Sequence, residues 1–168
     1  MQALILVDEN DTEIGSEEKM AAHQNGGKLH RAFSVFVYND AGQVLLQQRA
    51  SGKYHFGGLW TNTCCGHPLQ GEEVAAAARR RVKEELGIDV PLRSAGTFIY
   101  RAEDPQSGLV EHEFDHMFVG EWNGSLNVDP EEIAETRWVD PGEVREWLDR
   151  EPAAFTPWFP IALENLEI

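Results

Sequence analysis

The stretch that most limits how this chain can fold runs from Asn62 to Gly87. Asn62-Thr63-Cys64-Cys65-Gly66-His67-Pro68 leads into a segment that closes Arg80-Arg81-Val82-Lys83-Glu84-Glu85-Leu86-Gly87. Residues 72–86 are rich in Ala and Arg, which predicts a helix, and Gly87 supplies its C-terminal stop. A thiol and an imidazole thus stand close together beside a helix that carries carboxylates. An acid/base group, a metal ligand and a diphosphate-metal site come within reach of one another.

The remainder must frame that helix. The apolar residues 4–7 read as a strand, and Ser16-Glu17-Glu18-Lys19-Met20-Ala21-Ala22-His23 as a short helix with Ser16 as N-cap. Residues 32–38 and 44–49 flank the turn signal Asn39-Asp40-Ala41-Gly42 and predict a hairpin. Residues 97–101 and 111–119 read as strands joined by Asp104-Pro105-Gln106-Ser107-Gly108. Asp140 and Pro141 open a helix over 141–149, and residues 154–167 end as a short helix. This alternation predicts an α+β fold built on a mixed sheet. With no repeat and no linker, residues 1–168 read as one domain, long enough to bury a core.

Charge narrows the partners. The chain carries 14 basic and 29 acidic residues, a net charge of −15. Such a surface repels nucleic acid and anionic membranes, and neither is expected as a partner. An anionic substrate would require the few cations to gather at its site. No apolar run approaches the ~20 residues needed to cross a bilayer. The acidic start lacks a basic leader region, so a cytoplasmic location is expected. Cys64 and Cys65 are adjacent, where a disulfide would be badly strained, and both are expected as free thiols.

From Gly66 the chain reads glycine, five residues, Glu72, seven residues, Arg80, then Val82, Glu84, Glu85, Gly87 and Ile88. This resembles the Nudix box, G-x5-E-x7-R-E-U-x-E-E-x-G-U with U aliphatic, except that Arg81 replaces the glutamate after the arginine. Most Nudix proteins are diphosphate hydrolases, and that glutamate usually helps hold their metals. Its loss, together with the Cys-Gly-His-Pro lead-in, resembles the type 1 isopentenyl-diphosphate isomerases. The likeness extends from the first strand to Trp158. It implies a Nudix-like mixed β-sheet sandwiched between α-helices, and the reversible conversion of isopentenyl to dimethylallyl diphosphate through a tertiary carbocation. Phe56-Gly57 departs from the family's Trp-Pro-type pair, in the loop that carries Lys53.

Moving a double bond requires an acid, a base, support for a cation, a grip on diphosphate and exclusion of water. By resemblance, Glu113, aided by Tyr100, protonates the alkene and Cys65 takes the allylic proton, with roles exchanged in the reverse direction. Strand periodicity puts Glu111, Glu113 and Asp115 on one face and His112, Phe114 and His116 on the other. The resemblance selects His23, His30 and His67 with Glu111 and Glu113 as metal ligands. His112, the rival, is set aside by the period-2 argument, and His55 and His116 receive no role. Three imidazoles with carboxylates suit Zn²⁺, Mn²⁺ or Fe²⁺, and a six-ligand sphere favours Mn²⁺. Lys19, Arg49, Lys53 and Arg81 are the expected diphosphate clamps, with Mg²⁺ held by Glu85. Trp60 and Trp158 match positions lining the alkene pocket, where an indole face stabilises a cation.

Two other readings compete. A Nudix hydrolase would need metal carboxylates where Arg81 stands and leaves Cys65 unexplained. A non-catalytic Nudix-like binding module predicts lost ligands, whereas each expected position here holds a competent residue.

Overall fold

A computed structural model describes residues 2–24, 26–53 and 55–167. Its strands are β1 (Ala3–Val7), β2 (Glu13–Glu18), β3 (His30–Tyr38), β4 (Val44–Arg49), β5 (Trp60–Thr61), β6 (Cys64–Gly66), β7 (Arg93–Glu103), β8 (Val110–Glu121) and β9 (Ile133–Val139). Its helices are α1 (Lys19–Ala22), α2 (Val74–Leu86), α3 (Pro141–Arg150) and α4 (Trp158–Asn165), with a 3₁₀ turn at Pro152–Ala154. Among the described residues no helix is long and apolar enough to cross a membrane.

β3 is the axis of the sheet. It runs antiparallel to β1 and β6 but parallel to β8, which makes the sheet mixed. Nearly all of β3 is buried, as a strand covered on both faces must be. Phe33, Val35 and Val37 pack with Ala77, Ala78, Val82 and Leu86 of α2. Phe36, one step out of phase, packs with Trp158, Phe159 and Ala162 of α4 and with Val144 of α3. The period of two thus divides the core into two layers, with helices outside each. The expected sandwich of a mixed sheet between helices is what the chain forms.

Two glycines are sterically required. A Cβ at Gly66 would lie 2.7 Å from the Phe33 ring, so a larger residue there would push β6 off β3. Gly87 ends α2 in the left-handed region (φ 69°), its N–H bonded to the Lys83 carbonyl. A Cβ on Gly87 would lie 2.6 Å from the Asn127 carbonyl oxygen.

Several local expectations are corrected. Ser16 caps no helix. It pairs with Ile5 within β2, and α1 begins at Lys19, capped by the Glu18 carboxylate accepting from the Ala21 N–H. Pairing along β1 outweighs the local helix signal of that segment. The expected hairpin is joined only at its turn, through Tyr38 and Val44; beyond it β3 turns to β8 while β4 pairs with β9. Cys65 lies in the short strand β6, opposite Ser34.

Candidate active site

The register of β3 against β8 builds the first part of the site. His30 sits directly opposite Glu113. Alternation along β8 turns Glu111, Glu113 and Asp115 inward, each buried, and leaves His112, Phe114 and His116 half-exposed. The end of α1 adds His23, and the segment after β6 adds His67. Ligand atoms of His23, His30, His67 and Glu111 all lie within 4.8 Å of one another. Glu113 joins them, its Oε2 2.8 Å from His67 Nε2 and 3.4 Å from His30 Nε2.

The protonation pattern of this cluster suits a cation. His23 Nδ1 lies 2.6 Å from the Lys19 carbonyl, and His30 Nδ1 2.8 Å from the Lys28 carbonyl. A carbonyl only accepts, so both Nδ1 atoms carry hydrogen, and in the neutral rings the Nε2 lone pairs face the cluster. His23 Nε2 pairs closely with Glu111 Oε1. His30 Nε2, fully buried, makes no well-formed hydrogen bond. Burial pushes His67 down to about 4, which keeps its ring neutral at neutral pH. Imidazoles oriented by backbone carbonyls, facing carboxylates across a few ångströms, form a donor set for a divalent metal.

Beside the cluster, a cleft of about 400 Å³ is lined by Cys65, His67, Glu111, Glu113 and Trp158. Alternation in β6 separates the two cysteines. Cys64 is sealed in the α2 layer, and Cys65 turns to the cleft. Asn62 fixes the Cys65 thiol. Its Nδ2 donates to the carbonyls of Val35 (3.0 Å) and Cys64 (2.9 Å), so its Oδ1, 3.1 Å from Sγ, accepts the S–H. Burial, then the neighbouring Asp115, pushes the thiol up to about 12, and Cys65 holds its proton at neutral pH. Burial and the adjacent Glu111 act to raise Glu113, but the neighbouring His30 and His67 rings hold its carboxyl below the usual value. The Tyr100 hydroxyl donates to Glu113 Oε1. Of the two expected proton-transfer groups, Cys65 thus bears a proton and Glu113 is ionised.

Cations line the same cleft: Lys19, Arg49, Lys53 and Arg81. Arg81 Nη2 reaches Glu85 Oε2 at 2.6 Å, while Gln47 donates to the other oxygen of that buried carboxylate at 3.0 Å. Glu72 and Glu84 both hold Arg80 (2.8 Å and 2.9 Å), and Glu72 also accepts from the Leu69 N–H, clasping the loop before α2.

Residues 28–159 match the NUDIX domain model. Over 162 residues the chain is 54% identical to an isopentenyl-diphosphate Delta-isomerase of Streptomyces avermitilis, covering 96% of this chain and 81% of the relative. The chain belongs to the Nudix family, in its isopentenyl-diphosphate isomerase branch. The isomerase of Nocardia farcinica is 52% identical, over 95% of this chain and 91% of its own length. A crystal structure from Deinococcus radiodurans, 21% identical, superposes with a TM-score of 0.78 over 98% of this chain and 99% of its own, a likeness of fold alone.

Against the residues expected of this Nudix branch, the fold gathers all but one around the cleft and its metal cluster. Trp60 stands apart. Its ring packs on Trp147 (5.2 Å between centroids) under the Arg137 guanidinium, and it does not line the cleft. Trp158 does, with Arg49 5.6 Å from its ring centre. Two cleft residues escaped the sequence reading. His55 places Nε2 3.0 Å from Glu111 Oε2. Glu132 binds the Lys53 ammonium and lies 3.6 Å from Arg81. The Phe56-Gly57 departure flagged the loop that holds His55; no local motif marks Glu132.

Proposed function

We propose that this chain interconverts isopentenyl and dimethylallyl diphosphate by proton transfer at neighbouring carbons through a tertiary carbocation, within one Nudix-type domain. The observation that carries the reading is the pairing, in one cleft, of a proton-bearing Cys65 with an ionised Glu113. A hydrolase has no use for that thiol. An allylic shift needs a donor at one carbon and an acceptor at another.

In the direction that starts from this resting state, Cys65 gives a proton to the alkene, and Glu113 with Tyr100 accepts one from the neighbouring carbon. The reverse direction exchanges the roles. Trp158 offers an indole face to the carbocation, and a desolvated contact of this kind contributes about 2 kcal/mol. The apolar wall of Trp158, Phe56 and Tyr100 keeps water from trapping the cation. His23, His30, His67, Glu111 and Glu113 would hold Mn²⁺ or Zn²⁺, which when bound supplies positive charge that fixes the orientation of Glu113. Lys19, Arg49, Lys53 and Arg81 grip the diphosphate, with Glu85 presenting a carboxylate to the Mg²⁺ that accompanies it. A free catalytic thiol requires a reducing compartment, and the cytoplasm supplies one.

The test is proton NMR of isopentenyl diphosphate with the protein and Mg²⁺ in D₂O. Dimethylallyl diphosphate with deuterium in its new methyl is the expected product, absent with Cys65→Ala. Release of phosphate, or unchanged substrate with the wild-type protein, overturns the assignment.

A further inference from the structure

One of the imidazoles left without a role by the sequence, His55, is 3% exposed and touches both parts of the cleft. Its Nε2 lies 3.0 Å from Glu111 Oε2, the oxygen turned away from His23. On the other side of the ring, Arg49 Nη2 stands 3.3 Å from Nδ1 and 3.2 Å from the His55 carbonyl. A guanidinium only donates, so Nδ1 must accept, and the ring hydrogen resides on Nε2. That tautomer is the reverse of the one set in His23 and His30. In their neutral forms those rings turn a lone pair to the cluster; His55 instead brings its Nε2–H to ion-pair distance of a carboxylate oxygen, without a well-formed hydrogen bond.

The ring is fixed from all sides. It meets His23 edge-on, with centroids 5.3 Å apart, and packs against Phe56 at 5.0 Å. The next residue, Phe56, adopts a left-handed backbone (φ 51°), which costs about 1–3 kcal/mol for a non-glycine residue. The buried carboxylate of Asp104, reaching across from the β7–β8 loop, pins that turn by accepting the Phe56 N–H at 3.1 Å. A strained turn held by a distant buried acid is a built support for the side chain beside it.

We propose that His55 is a positioning residue of the metal centre, binding the outer oxygen of Glu111 so that the carboxylate offers a single oxygen to the ion. The inference rests on the His/Glu cluster being a metal site. Partners of this kind, bonded to a ligand and not to the ion, typically change metal affinity by about 10–100-fold.

The experiment is Mn²⁺ binding followed by electron paramagnetic resonance, with Mn²⁺ alone added to metal-stripped wild-type, His55→Ala and His55→Gln proteins. Thermal melts of the metal-free forms accompany it. Glutamine restores an N–H near the position of Nε2. The expected result is a loss of about 10–100-fold in affinity for His55→Ala, largely recovered in His55→Gln. Wild-type affinity in His55→Ala would overturn the proposal. So would a glutamine variant as weak as alanine with one fewer nitrogen coupled to the Mn²⁺ spin, since His55 would then be a ligand itself. A matching loss in both variants together with lower melting temperatures would make the ring merely structural. Wild-type protein that takes up no Mn²⁺ would remove the metal-site reading, and this proposal with it.

Discussion

The two halves of the cleft are built on opposite principles. The imidazole–carboxylate cluster uses short side chains on β3, β8 and the end of α1, with His23 and His30 fully buried and tied to backbone carbonyls. In the cation group Lys53 and Arg81 are long side chains that remain partly in solvent, 18% and 24% exposed, while Arg49 is buried against His55. Lys53 and Arg81 already have acidic partners, Glu132, Glu84 and Glu85. An incoming diphosphate must therefore exchange partners, which costs little where solvent screens the charges. On the proposed function, one half would fix the geometry of proton transfer, and the other would accommodate a variable, hydrated anion. Substitutions in the first should act on turnover, and in the second on substrate affinity.

The largest expected effect lies where the rigid half meets substrate. Cys65→Ala and Glu113→Gln should each lower kcat by about 10²–10⁴-fold, the range for loss of a general acid or base. Cys64→Ala, one residue away but sealed in the other core layer, should leave kcat near wild type and cost about 1 kcal/mol in stability. Steady-state kinetics beside denaturant melts separate the two. Equal loss of turnover from both cysteines would break the assignment of Cys65 to the chemistry.

Next comes the grip on diphosphate. Arg81→Ala removes a charge-assisted hydrogen-bond donor of about 1.5–3 kcal/mol and should raise KM by about 10–100-fold with a smaller change in kcat. A kcat loss larger than the KM change would mean that the two halves do not divide labour in this way.

A smaller effect of opposite sign is expected at Glu132. Glu132→Gln frees Lys53 and Arg81 from a carboxylate that competes with the substrate. Inorganic pyrophosphate should then bind a few-fold tighter by calorimetry, the size of one partly exposed ion pair. Weaker binding would show instead that Glu132 helps to hold the metal that comes with the anion.

The same contrast explains what could be read from the chain. The inward face of β8 was legible because alternation alone separates Glu111 and Glu113 from His112. The histidine set came from family resemblance, and its geometry depends on register: only the pairing of β3 with β8 puts His30 opposite Glu113. β6 and β5 escaped because segments of three and two residues are too short to show a period. Ser16 looked like a helix cap because nothing local reveals that β1 will claim it. His55 depends on a turn pinned by Asp104, 48 residues further along, and Glu132 meets Lys53 across 79 residues. Contacts at such separations leave no mark on local pattern.

The subtlest prediction concerns Asp115, which lies behind the thiol. Its Oδ2 accepts from Ser34 at 2.8 Å, and Oδ1 is buried with no partner. Burial, reinforced by the charge of Glu113, raises this carboxyl well above the usual value. A carboxyl whose folded pKa exceeds its unfolded one binds more protons folded than unfolded. Its contribution is fully present below about pH 4, the unfolded value, and is lost as pH rises toward the folded pKa. The slope is at most about 1.4 kcal/mol per pH unit. Asp115→Asn keeps an acceptor for Ser34 but cannot ionise, so it escapes that loss. The variant should melt close to wild type near pH 4 and progressively above it toward pH 8, with both proteins metal-free. A constant gap across that range would mean that Asp115 ionises as freely folded as unfolded. The thiol side of the cleft would then lack the low-dielectric character that keeps Cys65 protonated, and the contrast with the solvent-screened cations would fail at its root.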